Sequence, residues 1–147
     1  MDTTDIKIIN ILQENCKTTT REIGAEVGLT APAVSERITR LKELGVIEGF
    51  AAKINPSLLG KGLSAFIAIN VPPEEYEAFC LYAKKSPMIV EHYHIIGPNN
   101  ALLKILVANA SELEQQLSAL RAFGLSQTSV VLTTYFDHKP VDPGVMR

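Results

Sequence analysis

The sequence has no tryptophan and only two cysteines in 147 residues. Cys16 and Cys80 lie far apart and neither belongs to a C-x-x-C pair, which argues against a disulfide framework and against a zinc site. An excess of charge of one sign is also missing, since 14 Lys and Arg stand against 16 Asp and Glu for a formal net charge of -2. Nucleic-acid binding rests on neutralising phosphates, so a chain with this balance cannot grip a duplex with its whole surface and any such contact must be local. Long apolar runs are absent: stretches such as Leu102 to Ala108 are broken by Lys104 and fall far short of the ~20 residues a membrane crossing needs. Met1-Asp2-Thr3-Thr4-Asp5 has neither the basic nor the apolar part of a secretory signal, so the expected location is the cytoplasm. No G-x-G-x-x-G or P-loop string occurs. His92 and His94 alternate onto one strand face but have no third ligand at a suitable spacing, so satisfied sheet histidines are expected rather than a metal centre. Neither a cofactor nor catalysis is expected.

What is present divides in two. Residues 4 to 50 carry helical periodicity, the style changes around Asn55-Pro56 and Gly60-Lys61-Gly62, and the remainder alternates strand-like and helix-like segments. This predicts a first domain over 1–50, a strand or linker over 51–62 and a second domain over 63–147. In the first, Ile8, Ile9 and Leu12 define a helix from about Thr4 to Asn15. Thr19-Thr20-Arg21-Glu22 reads as a capping box for a second helix that ends at Gly28. Thr30 caps a third helix with Pro32 in its first turn and Val34, Ile38 and Leu41 on its core side, ending at Gly45. Val46 to Ile54 is expected as a short strand or wing. In the second domain, strands over 63–71, 88–96, 101–107 and 127–136 alternate with helices over 73–85 and 111–123, the latter capped by Ser111-x-x-Glu114. The order βαββαβ predicts a ferredoxin-like antiparallel sheet with both helices on one face, within an α+β chain. The other face is then left for a second subunit.

The strongest functional signal is the helix, tight turn and helix over about residues 20–39, a winged helix-turn-helix pattern that offers its third helix to a major groove. Thr30, Ala31, Pro32 and Ala33 are small or apolar residues suited to thymine methyls or backbone, and Ser35 flanks them. Glu36, Thr39 and Arg40 point away from the core on a helical wheel, while Arg37, Arg40 and Arg21 suit phosphate or guanine. Glu36 has two competing uses, acceptance from a cytosine amine or an i,i+4 pair with Arg40.

The residues Asp5-x-x-Ile8-Ile9-x-x-Leu12-Gln13, Glu22-Ile23-Gly24, Val27-Gly28-Leu29-Thr30, Val34-x-x-Arg37-Ile38-x-x-Leu41-x-x-x-Gly45-Val46-Ile47 and Leu59-Gly60 resemble the Lrp/AsnC, or feast-famine, transcription regulators over nearly the whole chain. The resemblance implies a DNA-binding, nucleoid-associated regulator. It implies dimers formed through the C-terminal sheets, octamers of four dimers, and a RAM-type second domain that takes a small effector, commonly an amino acid. Carried onto this sequence, the family's effector pattern G-x-x-D-x-L-L falls on Gly97, Asn100, Leu102 and Leu103. Pro98, Asn99 and Ala101 lie in the same loop, with Thr128 and Ser129 expected nearby. Asn100 stands where the family has an aspartate, so the carboxylate that would hold an α-ammonium group is replaced by a neutral amide. An architectural protein that wraps DNA with weak sequence preference and no effector is the other reading.

Overall fold

Asp2 opens the first helix, α1 (Thr3–Glu14), through a reciprocal cap: its Oδ1 accepts the Asp5 amide at 2.8 Å and its own amide donates to Asp5 Oδ2 at 3.0 Å. Thr19 and Glu22 form the expected box at the start of α2 (Thr20–Val27), and the Thr30 hydroxyl accepts the Ala33 amide at the start of α3 (Ala31–Glu43). Each pairing satisfies amides that a helix start leaves without partners. Ile8, Ile9, Leu12, Ile23, Val34 and Leu41 are the buried hydrophobic residues of this bundle, joined by the partly buried Ile38.

The computed structural model describes residues 1–144. Its contacts group Met1–Lys53 with the chain from Phe136 onward, and Ile54–Tyr135 as a second unit. The predicted second domain ran to residue 147; residues 136–144 instead lie on the first unit, and 145–147 are outside the described residues. The reason is a two-way bond from helix α1. Gln13 Oε1 accepts the Val141 amide at 2.7 Å and Gln13 Nε2 donates to the Val141 carbonyl at 2.9 Å, while Lys53 pairs with Asp137 at 2.6 Å.

The corner between α2 and α3 needs two glycines. Gly28 adopts φ 74°, the left-handed conformation that side chains other than glycine rarely take. Gly24 lies under the turn, where its carbonyl accepts the Leu29 amide at 2.9 Å and a Cβ would collide with the Leu29 carbonyl oxygen. The expected wing is not a strand. The amides of Val46 and Ile47 both donate to the Leu41 carbonyl, at 2.9 and 3.1 Å, closing the end of α3, and Ile47 packs on the bundle core. From there to Ile54 the chain has no strand partner among the described residues, and without a ladder an extended segment is not a sheet.

The second unit is the expected βαββαβ arrangement, an antiparallel sheet in the order β2-β3-β1-β4. Strands β1 (Leu63–Asn70) and β3 (Ala101–Val107) are central, flanked by β2 (Ile89–His94) and β4 (Leu125–Val130). Ala65, Ile67 and Ile69 of β1 and Ala101, Leu103, Ile105 and Val107 of β3 are buried in one core with Phe79 and Ala83 of α4 (Tyr76–Lys85) and Leu113 and Leu120 of α5 (Ala110–Leu120). Both helices therefore cover the same face, as period-two alternation demands. The alternate residues Phe66, Ala68, Leu102 and Leu106 are only partly buried.

Several boundaries move: β2 stops at His94, α5 ends at Leu120 and β4 starts at Leu125. A 3-10 turn over Pro73–Glu75 precedes α4, and α5 is capped by Asn109, whose side chain accepts the Glu112 amide, rather than by Ser111. Strand β4 ends at Val130 instead of continuing to Phe136. Its neighbour β1 begins at Leu63, Ala65 already faces Val130, and the Val131 amide reaches Ser64 as the ladder runs out.

Gly24→Ala places a methyl against the Leu29 carbonyl and is expected to cost about 1–3 kcal/mol, the range for overpacking. The urea midpoint of the helical unit should fall accordingly, and an unchanged midpoint would contradict the close approach described here.

Candidate nucleic-acid interface and effector loop

Helix α3 faces two ways. Val34 and Leu41 are buried, whereas Pro32, Ser35, Glu36 and Thr39 are exposed at i, i+3, i+4 and i+7 and make one outward ridge that Thr30 leads into. Arg40 is also exposed, and so is Arg21 on α2; Ala31, Ala33 and Arg37 are half-buried. Leu29, Ala33, Glu36, Arg37 and Arg40 line a shallow groove of about 300 Å³ beside the ridge.

Both arginines of this groove are already engaged. Arg37 Nη1 donates to Asp2 Oδ2 and Asp5 Oδ1, each at 2.7 Å, and Arg40 Nη2 donates to Asp5 Oδ2 at 2.7 Å. The Asp5 side chain has 0% exposure, against 27% for Arg37 and 52% for Arg40. Burial works to raise the Asp5 carboxyl, but the Asp2 amide and the Arg37 guanidinium outweigh it, with Arg40 adding to them, so the group is held below the usual aspartate range. Arg37 lowers Asp2 likewise. Two carboxylates thus face two guanidinium groups, and the cluster carries no net charge. Arg40 does not take the expected i,i+4 partner Glu36. Arg37, expected at the duplex, spends its Nη1 on the acids of α1.

Asp5 is the residue that reading the sequence for function passed over. The signal available was the Asp2-x-x-Asp5 spacing of a capping box, with Arg37 and Arg40 three apart on a later helix. Nothing local told that the two belong together.

The loop between β2 and β3 exposes Gly97 and Pro98, half-buries Asn99 and Asn100 and buries Ala101. Asn100 Oδ1 accepts the Val71 amide at 2.9 Å while Asn100 Nδ2 donates to the Val71 carbonyl at 2.7 Å. Only an amide can serve both ends of that pair, because an ionised acid accepts and cannot donate. The Asn100 carbonyl accepts the Ile95 amide at 3.0 Å and the Tyr76 hydroxyl at 3.4 Å, and Tyr76 Oη lies 2.6 Å from His94 Nδ1. Thr128 and Ser129 do not join this loop within one chain. Ala101 pairs with Ile69, which pairs with Ser126, so β1 separates β3 from β4, and Thr128 sits about 10 Å across the sheet and further along it. His92 and His94 share the helix-covered face, against Phe79 and Tyr76 respectively, and no group of His, Cys, Asp or Glu among the described residues is placed to hold a metal. No helix among them is long and apolar enough to cross a membrane.

Residues 1–42 match the AsnC-type helix-turn-helix domain and residues 64–141 the Lrp/AsnC ligand binding domain. The chain belongs to the Lrp/AsnC family. It is 41% identical over 117 residues to the HTH-type transcriptional regulator FL11 of Pyrococcus furiosus, covering 80% of this chain and 78% of that one. It is 33% identical over 138 residues to the uncharacterized HTH-type transcriptional regulator YezC of Bacillus subtilis, covering 94% and 98%. Among solved structures it resembles B. subtilis LrpC, with a TM-score of 0.87 at 27% identity and 95% and 99% coverage. A Neisseria meningitidis transcriptional regulator solved as its L-Met complex gives a TM-score of 0.89 at 26% identity, with 96% of each chain covered. The fold of this Lrp/AsnC chain is thus a helix-turn-helix domain followed by a four-stranded antiparallel α+β domain.

Two outcomes follow from the geometry. Asp2 and Asp5 have folded pKa values below their unfolded ones, so their contribution is fully present above the unfolded value of about 3.9 and is lost as pH falls through the lower folded values. Thermal unfolding followed by circular dichroism should therefore show the helical unit losing stability below about pH 4, with a flatter profile in Asp5→Asn; equal slopes would contradict the pairing. Asn100→Asp turns an oxygen toward the Val71 carbonyl and should cost about 1–3 kcal/mol at pH 7, read as a lower urea midpoint. A neutral result there would refute the two-way bond.

Proposed function

We propose that this chain is a sequence-selective DNA-binding transcription regulator, working as a homodimer or an octamer of four dimers, whose affinity is modulated by a small effector of the amino-acid class. The observation that carries it is the outward ridge of α3, solvent-facing along its length and backed by a bundle whose corner is built on Gly24 and Gly28. In this reading Thr30, Ala31, Pro32, Ala33, Ser35, Glu36 and Thr39 meet base edges and sugar-phosphate, with Arg21 on phosphate and the outer edge of Arg40 on a guanine edge. Arg37 braces the helix. Its truncation is therefore expected to unsettle the fold as well as any DNA contact, because it leaves buried Asp5 short of a partner.

Self-association is supported by the partly uncovered sheet face and by the exposed apolar residues Leu125, Val130, Leu132, Tyr135 and Phe136 in and after β4, which a monomer would leave in water. A second copy is also what could bring Thr128 and Ser129 to a β2–β3 loop. Effector control is supported by the match to a ligand binding domain and by the relative bound to L-Met. Since Asn100 is committed to Val71, an effector at this loop would find its partners elsewhere, in the backbone of Gly97 to Asn99 or in a neighbouring subunit. Relatives that are transcriptional regulators support a non-catalytic role and a place at the nucleoid.

The test is a duplex selected by the protein from a random pool, compared with a shuffled duplex by fluorescence anisotropy across a salt series, with and without each amino acid. Log affinity should fall linearly with log salt. The double variant Ser35→Ala/Thr39→Ala should lose about tenfold on the selected duplex, the scale of one lost base contact, with an unchanged melting temperature. Equal affinity of the parent for both duplexes would leave a DNA-wrapping protein without selectivity, and affinity and size unchanged by every amino acid would remove effector control.

A further inference from the structure

The buried carboxylate of Asp5 lies on the core side of the arginine pair, whereas half of the Arg40 side chain lies in solvent beside the ridge of α3. We infer that Asp5 is a positioning residue for DNA discrimination: it holds the inner edge of the Arg40 guanidinium so that the outer edge is presented to the duplex in one fixed geometry. This rests on the DNA-binding reading above and adds to it a residue that no contact with DNA would reveal.

The argument is one of geometry and charge together. An arginine side chain free in water samples many rotamers, and ordering it on binding is a cost that prior ordering removes. Asp5 can impose that order because it is itself immobile: its amide is tied to Asp2 Oδ1, its Oδ2 accepts the Asp2 amide, and no part of its side chain is exposed. Arg40 Nη2 binds the same Oδ2, and a guanidinium has five N–H donors in a rigid fork, so fixing one edge orients the other. Arg37, bridging Asp2 and Asp5, locks the carboxylate from its other oxygen. The charge sum completes the case. Because two acids balance the two bases, this cluster adds little to the indiscriminate attraction of phosphates and contributes through direction.

The two roles separate experimentally. Asp5→Asn removes one negative charge and weakens the hold on Arg40. The shuffled duplex should then bind as well or better, with a steeper salt slope, while the selected duplex loses about tenfold, so the ratio of the two affinities drops. Arg40→Lys keeps the charge but lacks the fork, and should reduce the ratio to a similar degree. Asp5→Asn/Arg40→Lys should fall no further than either single variant, because both act on one contact.

A loss shared equally by the two duplexes means that Asp5 only maintains the fold and overturns the inference, as do ratios unchanged in both single variants or losses that multiply in the double. Should Asp5→Asn not fold, Asp5→Glu takes its place in the cycle, keeping the charge while displacing the carboxylate by one methylene. A parent that fails to discriminate between the duplexes overturns the function proposed above along with this inference. A discriminating parent whose variants discriminate equally overturns this inference alone.

Discussion

A carboxylate removed from water is tolerated only when its oxygens are bonded and its charge is met, and Asp5 satisfies both conditions through groups from two helices. The first turn of α1 is thereby joined to the middle of α3 by bonds spanning 32 and 35 residues of sequence. That junction fixes which side of α3 is inner and which is outer more firmly than apolar packing alone, since Ile38 on the core side is only partly buried. It also settles what the helix offers to a polyanion. Of its three basic residues, Arg37 and Arg40 are compensated and Lys42 near the C-terminal end is exposed, so the outward ridge offers hydroxyls and small side chains more than free positive charge.

The sheet unit uses the same logic with a neutral group. Asn100 joins the start of β3 to the chain just after β1 by a pair of bonds to the Val71 backbone, a link that requires a donor and an acceptor on one short side chain. The family pattern that leads to this position suggests an acid with a ligand in mind, and the neighbourhood explains why an amide is better suited to this chain. The backbone of the loop is anchored at Asn100 and at the Tyr76–His94 contact behind it.

Features resting on neighbours in sequence were legible before any coordinates. The Thr19–Glu22 box, the Thr30 cap with Pro32 behind it, the Gly28 corner and the βαββαβ order all follow from caps and periodicity within a few residues. What escaped depends on partners far along the chain. A wing was expected over Val46–Ile54 because its residues suit a strand, yet a strand is made by its neighbour and none is there among the described residues. The end of β4 was set by where β1 begins, and the docking of 136–144 by Gln13 on α1 and by Lys53. The α5 cap failed for a different reason: Asn109-x-x-Glu112 and Ser111-x-x-Glu114 overlap, and the pattern alone does not choose between them.

The route of the backbone makes the sheet unit an insertion, since the chain departs from the helical unit after Lys53 and rejoins it at Phe136. A fragment cut at the linker would thus not be the whole helical unit but a version missing one of its own pieces, with the Gln13 amide returned to water. The two units share two covalent crossings instead of one. Between the last sheet residue, Val130, and the Gln13 anchor at Val141 there are only ten residues, so the return crossing is made by a short length of chain.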